Sequence, residues 1–456
     1  KTKTKLFCGC VTDFGAPPNT QCCPVCTGMP GALPVLNRRA VELAALAGLA
    51  THCCIASLTH FDRKNYFYPD LPKGYQITQQ EKPLCENGYL MIDTPQGEKR
   101  IGIRRIHLEE DAGKLLHEPS GTLLDCNRCG IPLMEVVTEP DMRNADEATA
   151  FLRKLREIVL FAGISDARMN EGSFRADVNI SLRKKGDKTF GTRTEIKNLN
   201  SFAFAAKAIG YEIERQAHVL NAGGQVEQET RKFDENSGKT IGMRRKEASD
   251  DYLYFPEPDI PPLTLEAAWV EDLRKTLPVL PDQRKRHYLT ELGISAEEAD
   301  VLSSRRKLSD WFEAEVSLTK APKLLASLLV SEVAKLLPEE EAPSCPRGKL
   351  ARVATLLKEG KINSGTARHL TRLLQTEDFD PDERITAENL WQITDKKELM
   401  SLLEAAIQAN PKAVKDYRSG KKAALSPLIG MAMKASRGRA DAKALQEMAE
   451  EMLSKS

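Results

Sequence analysis

The stretch "GYLMIDTPQGEKRIGIRRIHLEED", Gly88–Asp111, decides how the first half of this chain is read. Tyr89 to Asp93 leads into a Pro95–Gly97 turn, after which Ile101 and Ile103 alternate with polar residues. Period-two alternation on both sides of a Pro/Gly turn predicts an antiparallel hairpin with one buried face. Downstream, "ADEATAFLRKLREIVLFAGI" has the 3.6-residue period of an amphipathic helix. Leu152, Leu155, Val159 and Leu160 lie on its apolar face, and Gly163 closes it. "NLNSFAFAAKAIGYEIERQAHVLNAGG" predicts a second helix, capped by Ser201 and ended by Gly223–Gly224. Strands, turns and helices therefore mix through residues 1–265, which is an α+β pattern.

The texture then changes. "YFPEPDIPPL" (254–263) carries four prolines, which excludes helix and reads as a linker or a rigid rim. From 266 onward nearly every segment is helical in pattern, as in "APKLLASLLVSEVAKLL" and "GKLARVATLLKEGKI". A break near "DFDPDERITAEN" suggests two helical units, 266–393 and a small tail, 394–456.

Composition sets limits. A chain of 456 residues exceeds one compact core, so two or three domains are expected. The 66 basic and 65 acidic residues leave a net charge of +1, so a nucleic-acid surface would have to be a local patch. No apolar run approaches the roughly 18 residues of a membrane span. The opening KTKTK does not read as a signal peptide, and eleven cysteines form no even framework. A reducing cytoplasm is the expected setting.

Five of those cysteines lie within Lys5–Cys26, "KLFCGCVTDFGAPPNTQCCPVC". Cys8 and Cys10, then Cys23 and Cys26, make two close pairs able to close a tetrahedral zinc site. Four thiolates leave no open position, so such a site is structural. The bland alternative is a set of reduced, buried thiols. Cys126 and Cys129 form a lone CxxC without a second pair nearby.

Three stretches concentrate acid. His107-Leu-Glu109-Glu110-Asp111 ends the predicted hairpin. "GIPLMEVVTEPD" places Glu135 inside an apolar, strand-like run, where a carboxylate has to be paired, protonated or metal-bound. "RADVNISLRKKGDKTFGTRTEIKNLNS" reads as two strands around a Lys184–Gly191 loop. Alternation sends Val178, Ile180, Thr194 and Ile196 to one face, and Asp177, Asn179, Glu195 and Lys197 to the other. That polar face is either ordinary solvated sheet or a magnesium–phosphate site. "HFDRKNYFYPDLPKGYQ" interleaves Lys64, Tyr66, Tyr68 and Lys73, suiting either a nucleic-acid contact or a loop packed on the sheet. "FDENSGKT" ends like a phosphate loop, but Phe233 stands where that motif needs glycine.

Together "KLFCGC", "FDRKNYFYPDLPKGYQIT", "GIRRIHLEEDAGK", "PLMEVVTEPD", "RTEIKNLNSF", "DYLYFPEPDIPPL" and "LIGMAMKASRGRADAKAL" resemble the B subunit of the aspartyl/glutamyl-tRNA amidotransferase family. The resemblance implies a cradle-shaped α+β domain, a helical domain and a tail domain that binds tRNA. It implies that Glu or Asp mischarged on tRNA(Gln) or tRNA(Asn) is activated with ATP and Mg²⁺, then amidated. Ammonia would come through a tunnel from the amidase (A) subunit, with the small (C) subunit clamping the two. Carried over, Glu110 matches a metal or ammonia-gate carboxylate and Asp177 a second magnesium ligand. Glu135, Glu195 and Lys197 match substrate or phosphate contacts. Lys64, Tyr66, Tyr68 and Lys73 match the tunnel exit, and Cys8, Cys10, Cys23 and Cys26 the zinc ligands. Lys434, Arg437 and Arg439 form a short basic patch in the tail that either contacts tRNA or is solvated helix end. The family's opening strand supplies a Glu and a His to the metal site from a position before Lys1, so a chain beginning at Lys1 would lack them. The competing reading is a zinc-stapled tRNA-binding scaffold without chemistry of its own.

Overall fold

A computed structural model describes residues 1–197, 199–245, 252–338 and 341–454. The chain divides into two compact units, Lys1–Leu280 and Pro281–Ser456. The first is mixed α and β, and the described elements of the second are helical.

The expected hairpin forms the centre of the first unit. Cys85–Thr94 and Gly97–Glu110 pair antiparallel, with Thr94 opposite Gly97 across the turn. The sheet is completed by Cys54–Ile55 on one side and Pro132–Thr138 on the other. Its inward residues, among them Leu90, Ile92, Ile101, Ile103 and Ile106, are all at most 3% exposed. The helix Arg38–Ala50 covers them. This helix is rich in alanine, and Gly48 lets it come close: a Cβ there would meet Cys85 Sγ at 2.4 Å. Asn37 caps it, its side chain accepting from the backbone N–H of Arg39 and Ala40.

The two helices expected downstream run Ala145–Phe161 and Phe202–Asn221. Ser201 accepts from Phe204 N–H, as its position suggests. The buried stripe of the first helix is Phe151, Leu155, Ile158 and Val159. Leu152 turns instead to a second core built on Ile196, Ala205, Ala208 and Phe233, because this helix packs against two cores at once. That second core covers a four-stranded sheet, in order Val178–Ile180, Thr194–Lys197, Glu229–Asp234 and Lys239–Arg245. The pair Thr194–Lys197 and Glu229–Asp234 is parallel, and the helix Phe202–Asn221 is its crossover. "FDENSGKT" is the hairpin turn between the last two strands, closed by Asp234 Oδ2 accepting from Ser237 N–H, and no helix follows it.

The proline-rich run is not a linker. Leu253–Pro256 is a strand, pairing antiparallel with Asp62–Asn65, which in turn pairs with Tyr75–Thr78. Leu263–Thr264 pairs with Leu58–Thr59. Proline is tolerated here because Leu253–Pro256 is an edge strand and Pro256 its last residue. The helix Ala267–Thr276 also belongs to this unit, with Leu273 buried and Trp269 and Val270 packed against its core.

In the second unit one core centres on Leu302, Leu308, Phe312, Leu325, Leu350 and Leu370, and another on Leu399, Leu403, Leu428 and Leu445. "DFDPDERITAEN", read as a break, holds the short helix Pro381–Ala387, and Ile385 is buried in the first of these cores. Among the described residues no helix is long and apolar enough to cross a membrane.

Candidate active site and cysteine cluster

Past an irregularity between Ile103 and Arg105, the strand Gly97–Glu110 pairs regularly with Pro132–Thr138, setting His107 opposite Glu135 and Glu110 opposite Pro132. Alternation then puts His107 and Glu109 on one face and Glu110 on the other. The two neighbouring glutamates thus belong to different environments.

On the first face, ligand atoms of His107, Glu109 and Glu135 lie within 4.8 Å of one another. His107 Nε2 is 3.4 Å from Glu135 and 3.8 Å from Glu109. Burial of this imidazole favours its neutral form, but hydrogen bonds and charge from Glu109 and Glu135 outweigh that and push its pKa up. Its Nδ1 is buried and has no hydrogen-bond partner among the described residues. The hydrogen bond from His107 holds Glu135 below the usual carboxylate range, with smaller help from Lys64 and Arg105. Glu135 is not buried as its apolar neighbours suggest. Its side chain is 52% exposed, because Pro132–Thr138 is the outermost strand of its sheet.

The third acid-rich stretch folds in the expected register. Val178 pairs with Ile196 and Asn179 with Glu195, so Thr194 and Ile196 are fully buried while Asp177, Glu195 and Lys197 share the polar side. Lys197 Nζ lies 3.3 Å from both Asp177 and Glu195. Burial raises the pKa of Asp177; Lys197 opposes this, and Glu195 and Glu135 add to it. Burial disfavours the Lys197 ammonium, but the charges of Asp177 and Glu195 carry its pKa upward. Asp177 therefore sits within electrostatic reach of Glu135.

Glu110 does not join them. It is buried and engaged by the Lys73 ammonium and by Ile77 N–H at 2.9 Å. Burial raises its pKa against the pull of Lys73. Glu110 thus has partners of its own, Lys73 and Ile77, while Asp177 is engaged with Lys197. The acidic run from 107 to 111 gave the signal for this; the strand register that selects its odd members is a tertiary fact.

Lys64 is within electrostatic reach of Glu135, and Tyr66 of Glu109 and Glu110. Lys64 lies opposite Tyr254 in the neighbouring strand and 4.7 Å from the Tyr252 ring. Tyr68 is 51% exposed and lies farther out.

The cysteines separate as the spacing predicts. Sulfurs of Cys8, Cys10, Cys23 and Cys26 lie within 4.8 Å of one another, with Cys23 and Cys26 at 4.0 Å. Tetrahedral Zn–S bonds of about 2.3 Å need sulfurs roughly 3.8 Å apart, so the donor set fits zinc with little movement. Without metal the thiols share protons: a hydrogen bond from Cys8 draws Cys26 down to about 4, and burial pushes Cys10 up to about 11. Cys22 turns away, toward Asn19 O. Cys126 and Cys129 are buried and lie outside the group.

In the tail, Lys434 and Arg437 are exposed. Arg439 is engaged, donating to Ser436 O and Asn389 Oδ1.

Comparison with known proteins agrees with this division of the chain. Residues 1–271 match the GatB/GatE catalytic domain, and residues 310–453 match the GatB domain. The B subunit of the aspartyl/glutamyl-tRNA(Asn/Gln) amidotransferase from Caldicellulosiruptor saccharolyticus is 48% identical over all of this chain and 96% of its own length. That of Carboxydothermus hydrogenoformans is 46% identical with the same coverage. That of Geobacter sulfurreducens is 47% identical over 98% of this chain and 95% of its own. The chain belongs to the family of amidotransferase B subunits, which are components of glutamine-dependent carbon–nitrogen ligases.

Proposed function

We propose that this chain activates and amidates the side-chain carboxylate of Glu or Asp esterified to tRNA(Gln) or tRNA(Asn), yielding Gln-tRNA(Gln) or Asn-tRNA(Asn). The observation that carries the reading is the close group of His107, Glu109 and Glu135, with Asp177 and Lys64 within electrostatic reach of Glu135 and Lys197 paired to Asp177, in a chain of this family. A free carboxylate resists attack by ammonia until one oxygen becomes part of a leaving group. ATP supplies that group: a substrate oxygen bonds the γ-phosphorus, ADP departs, and ammonia then displaces phosphate from the acyl carbon.

Carboxylates this close fit a hard divalent cation. Glu109 and Glu135 would hold Mg²⁺, with Asp177 as the further carboxylate that the family resemblance suggests, and the ion when bound would neutralise phosphate charge. Lys197, kept cationic by Asp177 and Glu195, is placed to orient phosphate oxygens. Glu110 and Lys73, paired on the opposite side of the strand, serve as a buried polar gate for ammonia. Tyr66 and Tyr68 belong to the same passage.

Ammonia would be released from glutamine by the amidase (A) subunit, with the small (C) subunit joining the assembly, in the cytoplasm where ATP and charged tRNA are found. The division proposed is a catalytic domain that extends past residue 265 to take in the helix Ala267–Thr276, a helical domain to 393 and a tRNA-binding tail from 394. Zinc at Cys8, Cys10, Cys23 and Cys26 is structural. The test is ATP cleavage dependent on Glu-tRNA(Gln) by the assembled enzyme, with ammonium chloride as nitrogen source. Turnover that disappears in Asp177→Asn supports the reading. Binding of tRNA with no turnover by the assembled wild type would reduce the chain to a scaffold.

A further inference from the structure

The three-stranded sheet of Leu253–Pro256, Asp62–Asn65 and Tyr75–Thr78 has two unlike faces. On one, Arg63 lies 4.3 Å from the Tyr75 ring and 5.8 Å from that of Phe255, its guanidinium tied to Glu257 and Asp259. That face is internally satisfied. The other carries Lys64 and Tyr254, paired across the strands, and with them Tyr66 and Tyr252.

These three tyrosines pack edge to face. Tyr66 and Tyr252 are 5.4 Å apart at 60°, and Tyr252 and Tyr254 are 6.3 Å apart at 81°. Such packing fixes ring orientation yet leaves open π surface. Tyr252 remains 44% exposed and Tyr254 38%. The acids lie against this face: Thr78, opposite Asp62 in the same sheet, donates to Glu109 at 3.3 Å. Burial raises the pKa of the Tyr254 hydroxyl, with Glu109 and Glu135 adding to it and Arg105 opposing them. Exposed aromatic rings interleaved with cations are the arrangement that holds single-stranded nucleic acid, stacking on the bases and neutralising the phosphates. An aminoacyl group is esterified to the last ribose of its RNA. When its side chain reaches the acids, the terminal base therefore lies one nucleoside away.

We infer that Tyr252 and Tyr254 form a stacking platform for the 3′-terminal base of the substrate RNA, with Lys64 beside the adjoining phosphate. This rests on the function proposed above and adds the residues that position the acceptor end.

The probe is an RNA minihelix with a single-stranded 3′ end whose last base is 2-aminopurine, mixed with the full-length chain. Stacking quenches its fluorescence. Tyr252→Phe and Tyr254→Phe should keep the quench. Tyr252→Ala and Tyr254→Ala should lose it and weaken binding roughly 5- to 100-fold, with unchanged circular dichroism, while a blunt minihelix loses nothing further. A full quench in both alanine variants, or wild-type binding without quench, overturns the platform and leaves the proposed function standing. No binding of the minihelix by the wild-type chain would count against the function itself. If the alanine variants lose ATP in equilibrium dialysis but keep the quench, the rings serve the base of ATP and the inference fails.

Discussion

At the scale of single residues, His107 and Glu135 illustrate how position sets chemistry. Each shifts the other: the imidazole is held cationic to higher pH, and the carboxylate is held anionic to lower pH. For His107 the folded-state value is raised, so its contribution to stability is complete below about pH 6.5 and is lost as pH climbs through the raised value. For Glu135 the folded-state value is depressed, so its contribution is present above about pH 4.5 and is lost on acidification. In chelator-treated protein, the urea-unfolding difference between wild type and His107→Gln should therefore shrink as pH rises above about 6.5; a constant difference would refute the coupling. Asp177→Asn and Glu135→Gln should each cut amidation at least a hundredfold while tRNA affinity stays within about twofold, read by filter binding and product formation. A parallel fall in tRNA affinity would assign these acids to RNA binding instead.

At the scale of elements, the proline-rich edge strand is held by one buried ion pair. Arg63 donates two hydrogen bonds to Glu257, whose side chain is wholly buried, and a third to Asp259. Removing the arginine strands a buried charge, so Arg63→Ala should cost about 3 kcal/mol in denaturant unfolding. A loss under about 1 kcal/mol would mean the pair is replaceable by water. The cysteine element makes a different prediction. The full chain should carry one zinc by elemental analysis, and Cys23→Ser should abolish it and lower the melting temperature. Retention of zinc in that variant would move the site elsewhere. Helices were the most legible elements, since Ser201, Gly163 and the apolar period mark their ends within a few residues. The Leu253–Pro256 strand was not, because proline opposes strand pairing everywhere except at an edge, and an edge is a property of the sheet.

For the whole molecule, charge is balanced, so the RNA contact proposed above would depend on local patches. Lys434→Ala with Arg437→Ala should weaken tRNA binding and reduce the slope of log affinity against log salt by about 2, measured by titration at several salt concentrations. An unchanged slope would remove the tail patch from the interface. Arg439 stands apart from these two because its donors are committed to Ser436 and to Asn389, the latter outside the tail. By itself the sequence determined the α+β front and helical rear, the four-cysteine set, and the polar side of Asp177, Glu195 and Lys197. Each follows from spacing along one segment, where 2.0- and 3.6-residue periods act locally. Only the tertiary structure decided which member of Glu109–Glu110 faces the acid cluster, that Glu135 is exposed beside His107, and that Tyr252 and Tyr254 flank them. Those depend on register between strands far apart in the chain, set by burying two sheets against shared helices, and no local period encodes that.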